Sequence, residues 1–106
     1  MDINVQELNE RLNAGTAPIM IDVRNPHEWE AQHLDGVKLI SLHEIPANLA
    51  ELAAIKDQEI VLICRSGGRS GQATQFLANN GFSNVRNMTG GMLAWKAGID
   101  STFNVS

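Results

Sequence analysis

Cys64 stands at the end of the apolar run Ile60-Val61-Leu62-Ile63 and is followed by Arg65-Ser66-Gly67-Gly68-Arg69-Ser70. A thiol, two glycines and two arginines within seven positions can form a nucleophile in an anion-binding loop. Glycine tolerates positive φ and carries no side chain, so successive backbone N–H groups can converge on one point. A helix starting in the loop adds the partial positive charge of its amino end. The first anion such a cradle stabilises is the Cys64 thiolate. A free thiol titrates near ~8.5, so about 3% is thiolate at neutral pH. Lowering that pKa by ~2 units takes about 2.7 kcal/mol of preferential stabilisation, which several N–H bonds and a helix terminus can supply. The competing reading makes Cys64 a small apolar residue closing a buried strand. A core cysteine needs no donor-rich loop directly after it, and the loop decides for the nucleophile.

Around Cys64, the candidate binding residues are Arg65, Ser66, Gly67, Gly68, Arg69 and Ser70. Arg65, next to the nucleophile, is placed to meet an incoming anion. Arg69, at the loop end, suits either direct action on the reacting anion or a bracing role through a carboxylate such as Asp22. Asp22 and Arg24 read as an ion-paired scaffold supporting the site. Trp29 and Trp95 read as core or pocket wall, and His33 as a local hydrogen-bonding residue rather than a general base.

The elements that must position these residues alternate between short apolar runs and helical patterns, the order of an α/β domain. Ile3 to Val5 is a short edge strand or the lead-in to a helix marked by Val5, Leu8 and Leu12 and stopped by Gly15. Ile19 to Val23 is a strand, and Asn25-Pro26 turns into a second helix. Val37 to Ile40 is a strand. Ile45, Leu49, Leu52 and Ala53 mark a third amphipathic helix. Ile60 to Ile63 lacks alternation, as a strand buried on both faces of a parallel sheet does. A helix through Ala73, Phe76 and Leu77 runs to Gly81. Val85 to Met88 is a last strand, and Gly90-Gly91 opens a helix through Leu93, Trp95 and Ala97. Reactive sites in such sheets lie at the carboxyl ends of the strands. Asp22-Val23-Arg24 and Cys64-Arg65 both belong there.

The 106 residues, 43% apolar and 19% charged, suit a single globular domain over 1–106. A formal charge of −4 argues against nucleic acid or an anionic membrane as partner. One cysteine permits no internal disulfide and fits a reducing, cytoplasmic setting. There is no cysteine–histidine cluster for zinc, and His27, His33 and His43 lack metalloprotease spacing. The first residues do not read as a signal peptide, and no apolar run is long enough to span a bilayer.

The ordered series Asp22-Val23-Arg24, Glu28-Trp29, His33-Leu34-Asp35-Gly36, Cys64 to Ser70, Gly81-Phe82 and Gly90-Gly91-Met92-Leu93-Ala94-Trp95 resembles the single-domain rhodaneses, from about Val5 to Gly98. The resemblance implies a three-layer α/β/α domain on a mainly parallel five-stranded sheet. It implies thiosulfate:cyanide sulfurtransferase-type activity, with Cys64 carrying a sulfane sulfur as a persulfide. It associates Arg65 with attracting the anionic donor and Arg69 with holding the loop. Implied partners are a small anionic sulfur donor such as thiosulfate and a thiol or protein acceptor, with no cofactor and no metal. Two positions depart from the pattern: Asp35, where proline is usual, and Gln32, where glycine is common. Both lie away from the nucleophile.

Three other readings use parts of the same loop. A cysteine phosphatase or arsenate reductase usually has five residues between Cys and Arg; here four separate Cys64 from Arg69. A binding module of the rhodanese type often lacks the cysteine. A protein-to-protein sulfur carrier needs the same site. The sequence leaves donor, acceptor and oligomeric state open.

Overall fold

A computed structural model describes residues 2–105. Its centre is a five-stranded sheet in the order β1-β5-β4-β2-β3: β1 is Asp2–Ile3, β2 Ile19–Asp22, β3 Lys38–Leu39, β4 Ile60–Ile63 and β5 Val85–Met88. Each of the paired strands runs parallel to its neighbour. The helices are α1 Val5–Asn13, α2 Pro26–Ala31, α3 Leu49–Leu52, α4 Gly68–Asn79 and α5 Gly91–Gly98.

β4 lies in the middle, and all four of its residues are fully buried. Its side chains alternate between two cores. Ile60, Leu62 and Cys64 pack with Ala73 and Leu77 of α4, Ile45 and Leu52. Val61 and Ile63 pack on the other face with Val5 and Leu8 of α1 and with Met92 and Trp95 of α5. The result is the expected three-layer arrangement. A strand clothed on both sides needs no polar positions, which is why Ile60 to Ile63 has none.

From β2 the chain crosses outward to β3; from β4 it crosses in the opposite direction to β5. The carboxyl ends of β2 and β4 therefore flank the point where the strand order reverses, where a crevice opens in sheets of this kind. Register places Asp22 beside Ile63, and the Val23 N–H donates to the Ile63 carbonyl at 2.8 Å. The last residues of β2 thus lie against the start of the cysteine loop.

Local chemistry accounts for most boundaries. Asn4 caps α1 through its side-chain oxygen, which accepts from the Glu7 N–H at 2.8 Å. Pro26 opens α2 at a position where the missing N–H costs nothing. Of the two readings of Ile3 to Val5, each holds for part: Ile3 pairs with Met88 in the sheet, and Val5 begins the helix.

The third amphipathic helix does not form as expected. Its place is taken by single 3₁₀ turns at Leu42–Glu44, Pro46–Asn48 and Ala53–Ile55, with only Leu49–Leu52 α-helical. Pro46 has no N–H to donate, and the Asn48 amide donates to the Glu44 carbonyl at 2.8 Å in competition with the backbone. The apolar spacing survives, because Ile45 and Leu52 are still buried in the core. The strand expected over 37–40 shortens to Lys38–Leu39, although the Ile40 N–H still reaches the Asp22 carbonyl at 3.0 Å. Among the described residues no helix is long and apolar enough to cross a membrane.

Because Leu62 is fully buried in the central strand, Leu62→Ala should cost about 2–5 kcal/mol of stability. Urea denaturation of the two proteins measures the difference.

Candidate active site

The loop from Cys64 to Gly67 connects β4 directly to α4. Gly67 has φ +101 and is the residue preceding α4, so it turns the backbone back over the cysteine. Its N–H donates to Cys64 Sγ at 3.0 Å. A Cβ here would meet the Gly90 nitrogen at 3.3 Å in addition to the strained φ. Gly68 differs. It is the first residue of α4, has no positive φ, and a Cβ would enter open space. The pair divides its work: Gly67 shapes the turn, while Gly68 leaves the approach over the helix end clear.

Cys64 is buried, 1% exposed, at the floor of this loop. Burial pushes its thiol pKa up. Hydrogen bonds from the Ser70 hydroxyl and from the backbone of Ser70, Gly67 and Ser66 outweigh that and bring it below the ordinary value. The Ser70 Oγ lies 3.2 Å from Sγ, and Ser70 is itself fully buried. Arg65 and Ser66 are exposed at the rim.

Three supports hold the loop from outside. First, the amino end of α5 donates to its backbone: Met92 N–H to the Cys64 carbonyl at 2.9 Å and Leu93 N–H to the Arg65 carbonyl at 3.0 Å. The approach is so close that a Cβ on Gly91 would stand 2.5 Å from the Cys64 and Arg65 carbonyls. Second, Asn87 of β5 donates from Nδ2 to the Gly67 carbonyl at 3.2 Å. Third, Arg69 of α4 is clamped by Glu28 of α2, with Nη1–Oε1 at 2.7 Å and Nη2–Oε2 at 2.9 Å.

That clamp corrects the expected partner of Arg69. Asp22 is unavailable, because Arg24 occupies it. Arg24 Nη2 lies 2.8 Å from Asp22 Oδ2, Nε lies 3.0 Å from both carboxylate oxygens, and the pair is almost wholly buried. The Arg24 N–H also donates to Asp22 Oδ1 at 3.0 Å, and Nη2 donates to the Gln32 carbonyl at 2.8 Å. Asp22 and Arg24 therefore form the expected ion-paired scaffold, one that fixes the exit of β2.

His33 donates from Nδ1 to the Trp29 carbonyl at 2.8 Å and stacks on the Trp29 ring, centroids 3.5 Å apart. Its role is local, as expected. Trp95 is buried in the second core. Glu28, Asn87 and Gly91 are brought to the loop by the fold and are not among the residues that the sequence points to. Glu28 and Gly91 lie within the quoted family segments, but nothing in their local spacing links them to the cysteine loop. Asn87 sits inside a strand, where an amide reads as an ordinary edge or surface residue.

The Glu28 carboxyl is pulled from 4.5 down to about 2, chiefly by its hydrogen bond from Arg69. Burial opposes the shift; the Asn25 N–H and the charges of Arg69 and Arg24 assist it. A depressed folded-state pKa gives stability that is present above the unfolded value and lost as pH falls toward the folded one. The protein should lose on the order of 2–3 kcal/mol more between pH ~4.5 and ~2 than Glu28→Gln, in denaturation midpoints compared across that range.

The rhodanese-like domain family model matches residues 4–98. A sulfurtransferase of Allochromatium vinosum is 33% identical over 94 residues, covering 89% of this chain and 86% of the relative. A thiosulfate sulfurtransferase, GlpE, of Stutzerimonas stutzeri is 33% identical over 84 residues, covering 79% of this chain and 73% of the relative. The crystal structure of a rhodanese-like domain protein from Staphylococcus aureus superposes with a TM-score of 0.83 at 29% identity, covering 100% of this chain and 99% of that one. The cysteine loop at the carboxyl end of β4, the parallel five-stranded sheet and these matches agree, and the chain belongs to the rhodanese-like domain family.

Proposed function

We propose that this protein moves a sulfane sulfur from a small anionic donor such as thiosulfate to a nucleophilic acceptor, through a persulfide on Cys64. The observation that carries the reading is the environment of Sγ: an N–H from Gly67 at 3.0 Å and a hydroxyl from Ser70 at 3.2 Å, on a thiol whose pKa lies below its ordinary value. The names of the relatives, a sulfurtransferase and a thiosulfate sulfurtransferase, support it.

In the first step the Cys64 thiolate attacks the outer sulfur of thiosulfate. The Sγ–S bond forms and the old S–S bond breaks, its electron pair leaving on sulfite. Arg65 at the rim draws in the dianion and favours departure of the charged leaving group. The loop N–H groups hold the persulfide, whose charge now sits on the outer sulfur. In the second step the acceptor attacks that outer sulfur and the electron pair returns to Cys64. Cyanide serves as acceptor in the test tube, a thiol or a protein in a cell. Two half-reactions through one covalent intermediate give ping-pong kinetics.

Burial of Cys64 bears on the choice of donor. A thiol with 1% exposure is reached by a slender terminal sulfur rather than by a bulky group. Arg69 bears on the phosphatase alternative. A phosphatase arginine grips the transferred oxyanion, whereas both outer nitrogens of Arg69 are held by Glu28. Of the two roles the sequence leaves open for Arg69, bracing fits this geometry.

Thiocyanate formation from thiosulfate and cyanide tests the reading. Cys64→Ala should abolish it, and appreciable turnover in that variant would sink the assignment. Removing an exposed charge that meets the donor costs about 1 kcal/mol. Arg65→Ala should therefore raise KM for thiosulfate about fivefold with little change for the acceptor. Unchanged steady-state kinetics would remove Arg65 from the site.

A further inference from the structure

Asn87 touches the loop at two points. Its Nδ2 donates to the Gly67 carbonyl at 3.2 Å, and its Oδ1 lies 2.5 Å from the Ser70 Oγ. A carbonyl can only accept, so Gly67 fixes which end of the amide is nitrogen and turns Oδ1 toward Ser70. Oδ1 also can only accept. Cys64 Sγ stands 3.2 Å from the same Ser70 oxygen. Ser70 has one hydroxyl proton and two neighbours that can take it.

The two protonation states of Cys64 resolve this differently. With a neutral thiol, S–H donates to Ser70 Oγ and the Ser70 O–H donates to Asn87, leaving every group satisfied. With a thiolate, Ser70 turns its proton to Sγ, and Asn87 Oδ1 then faces an oxygen lone pair in a partly buried setting.

We propose that Asn87 is a positioning residue that competes with the Cys64 thiolate for the single proton of Ser70. The competition itself is a property of the thiol. Its catalytic consequence rests on the persulfide reading above. When the thiolate takes sulfur from the donor, the new Sγ–S bond leaves Sγ uncharged and moves the charge to the outer sulfur, while sulfite departs with the electron pair of the broken bond. Ser70 then returns its proton to Asn87. When the acceptor removes the outer sulfur and the electron pair returns to Sγ, Ser70 turns back. Asn87 thereby favours the loaded site over the free thiolate and holds the sulfur until an acceptor arrives.

The other charges near Cys64 stay constant in the test. They are Arg65 in the loop, Arg69 on α4 with Glu28 of α2 behind it, and the Asp22–Arg24 pair at the exit of β2. On β5, Arg86 is engaged with Glu7 and Glu59, and Lys96 lies in the last turn of α5.

The experiment is a cycle of wild type, Asn87→Ala, Ser70→Ala and the double variant. The Cys64 pKa is read from the pH dependence of iodoacetamide alkylation, with circular dichroism to verify folding. Asn87→Ala should lower the pKa, raising the thiolate fraction below it about threefold to tenfold, and should have no such effect once Ser70 is Ala. Asn87→Val, a side chain suited to a strand, should shift it the same way and stands in where the alanine variant is unstable. An unchanged or raised pKa, or an equal shift with and without Ser70, overturns the proposal. A merely structural Asn87 gives the raised value, because the Gly67 carbonyl keeps only its bond from the Gly71 N–H, and the turn that aims the Gly67 N–H at Sγ loosens. Failure of the sulfur-transfer reading is distinguishable: it leaves this cycle intact while thiocyanate does not form.

Discussion

The amino end of α5 is tied by its backbone to the carbonyls of Cys64 and Arg65, and the geometry around the thiol depends on that tie. A loop that aims its N–H groups inward at sulfur must leave its carbonyls facing outward, and buried carbonyls need donors. Helix α5 has unsatisfied N–H groups at its amino end. Each end supplies what the other lacks. The match demands contact so close that only glycine fits at position 91. The Gly67 carbonyl is satisfied separately, by Asn87 and by the Gly71 N–H. Cys64 then has its backbone fixed by one helix while its sulfur faces the start of another.

Two arginine–carboxylate pairs extend this frame, and they are not interchangeable. Asp22–Arg24 is local in sequence and fully buried, and it ties down the chain as it leaves β2. Glu28–Arg69 spans 41 positions and joins α2 to the first turn of α4. A bidentate pair fixes orientation as well as distance. Breaking a buried pair by deleting one partner costs more than the pair contributes, because the survivor is left charged and uncompensated. Asp22–Arg24 stands at the exit of β2 and Arg69 in the first turn of the helix after β4, so the two pairs serve the two strands that flank the reversal point of the sheet.

Much of this was legible from residue order. Ile60 to Ile63 read as a strand buried on both faces because it contains no polar position, and it is one. Cys64 to Ser70 read as an anion cradle because glycine and donor groups follow a thiol, and Gly67 supplies the turn. The apolar spacing over 45–53 points to a regular helix that Pro46 interrupts, since spacing reports burial and not hydrogen bonding. The partner of Arg69 was misread because Asp22 and Glu28 are both acidic and both near the crevice. Only the three-dimensional packing shows that Arg24 has already filled Asp22. Asn87 and Gly91 escaped for a related reason. Their significance lies in what crosses to them from a distant segment, and a pattern along the chain carries no trace of that.

The pinning of the loop by α5 also has a consequence in time. Ribosomal synthesis delivers Cys64 well before Gly91, so the nascent chain carries the thiol while its outward carbonyls still bond to water. In that interval Cys64 is an ordinary cysteine, mostly protonated at neutral pH. Its activation arrives only when the later helix docks. The order of residues along the chain therefore sets an order of events: the thiol is made first, and it becomes the thiol of this site only once the later helix has docked.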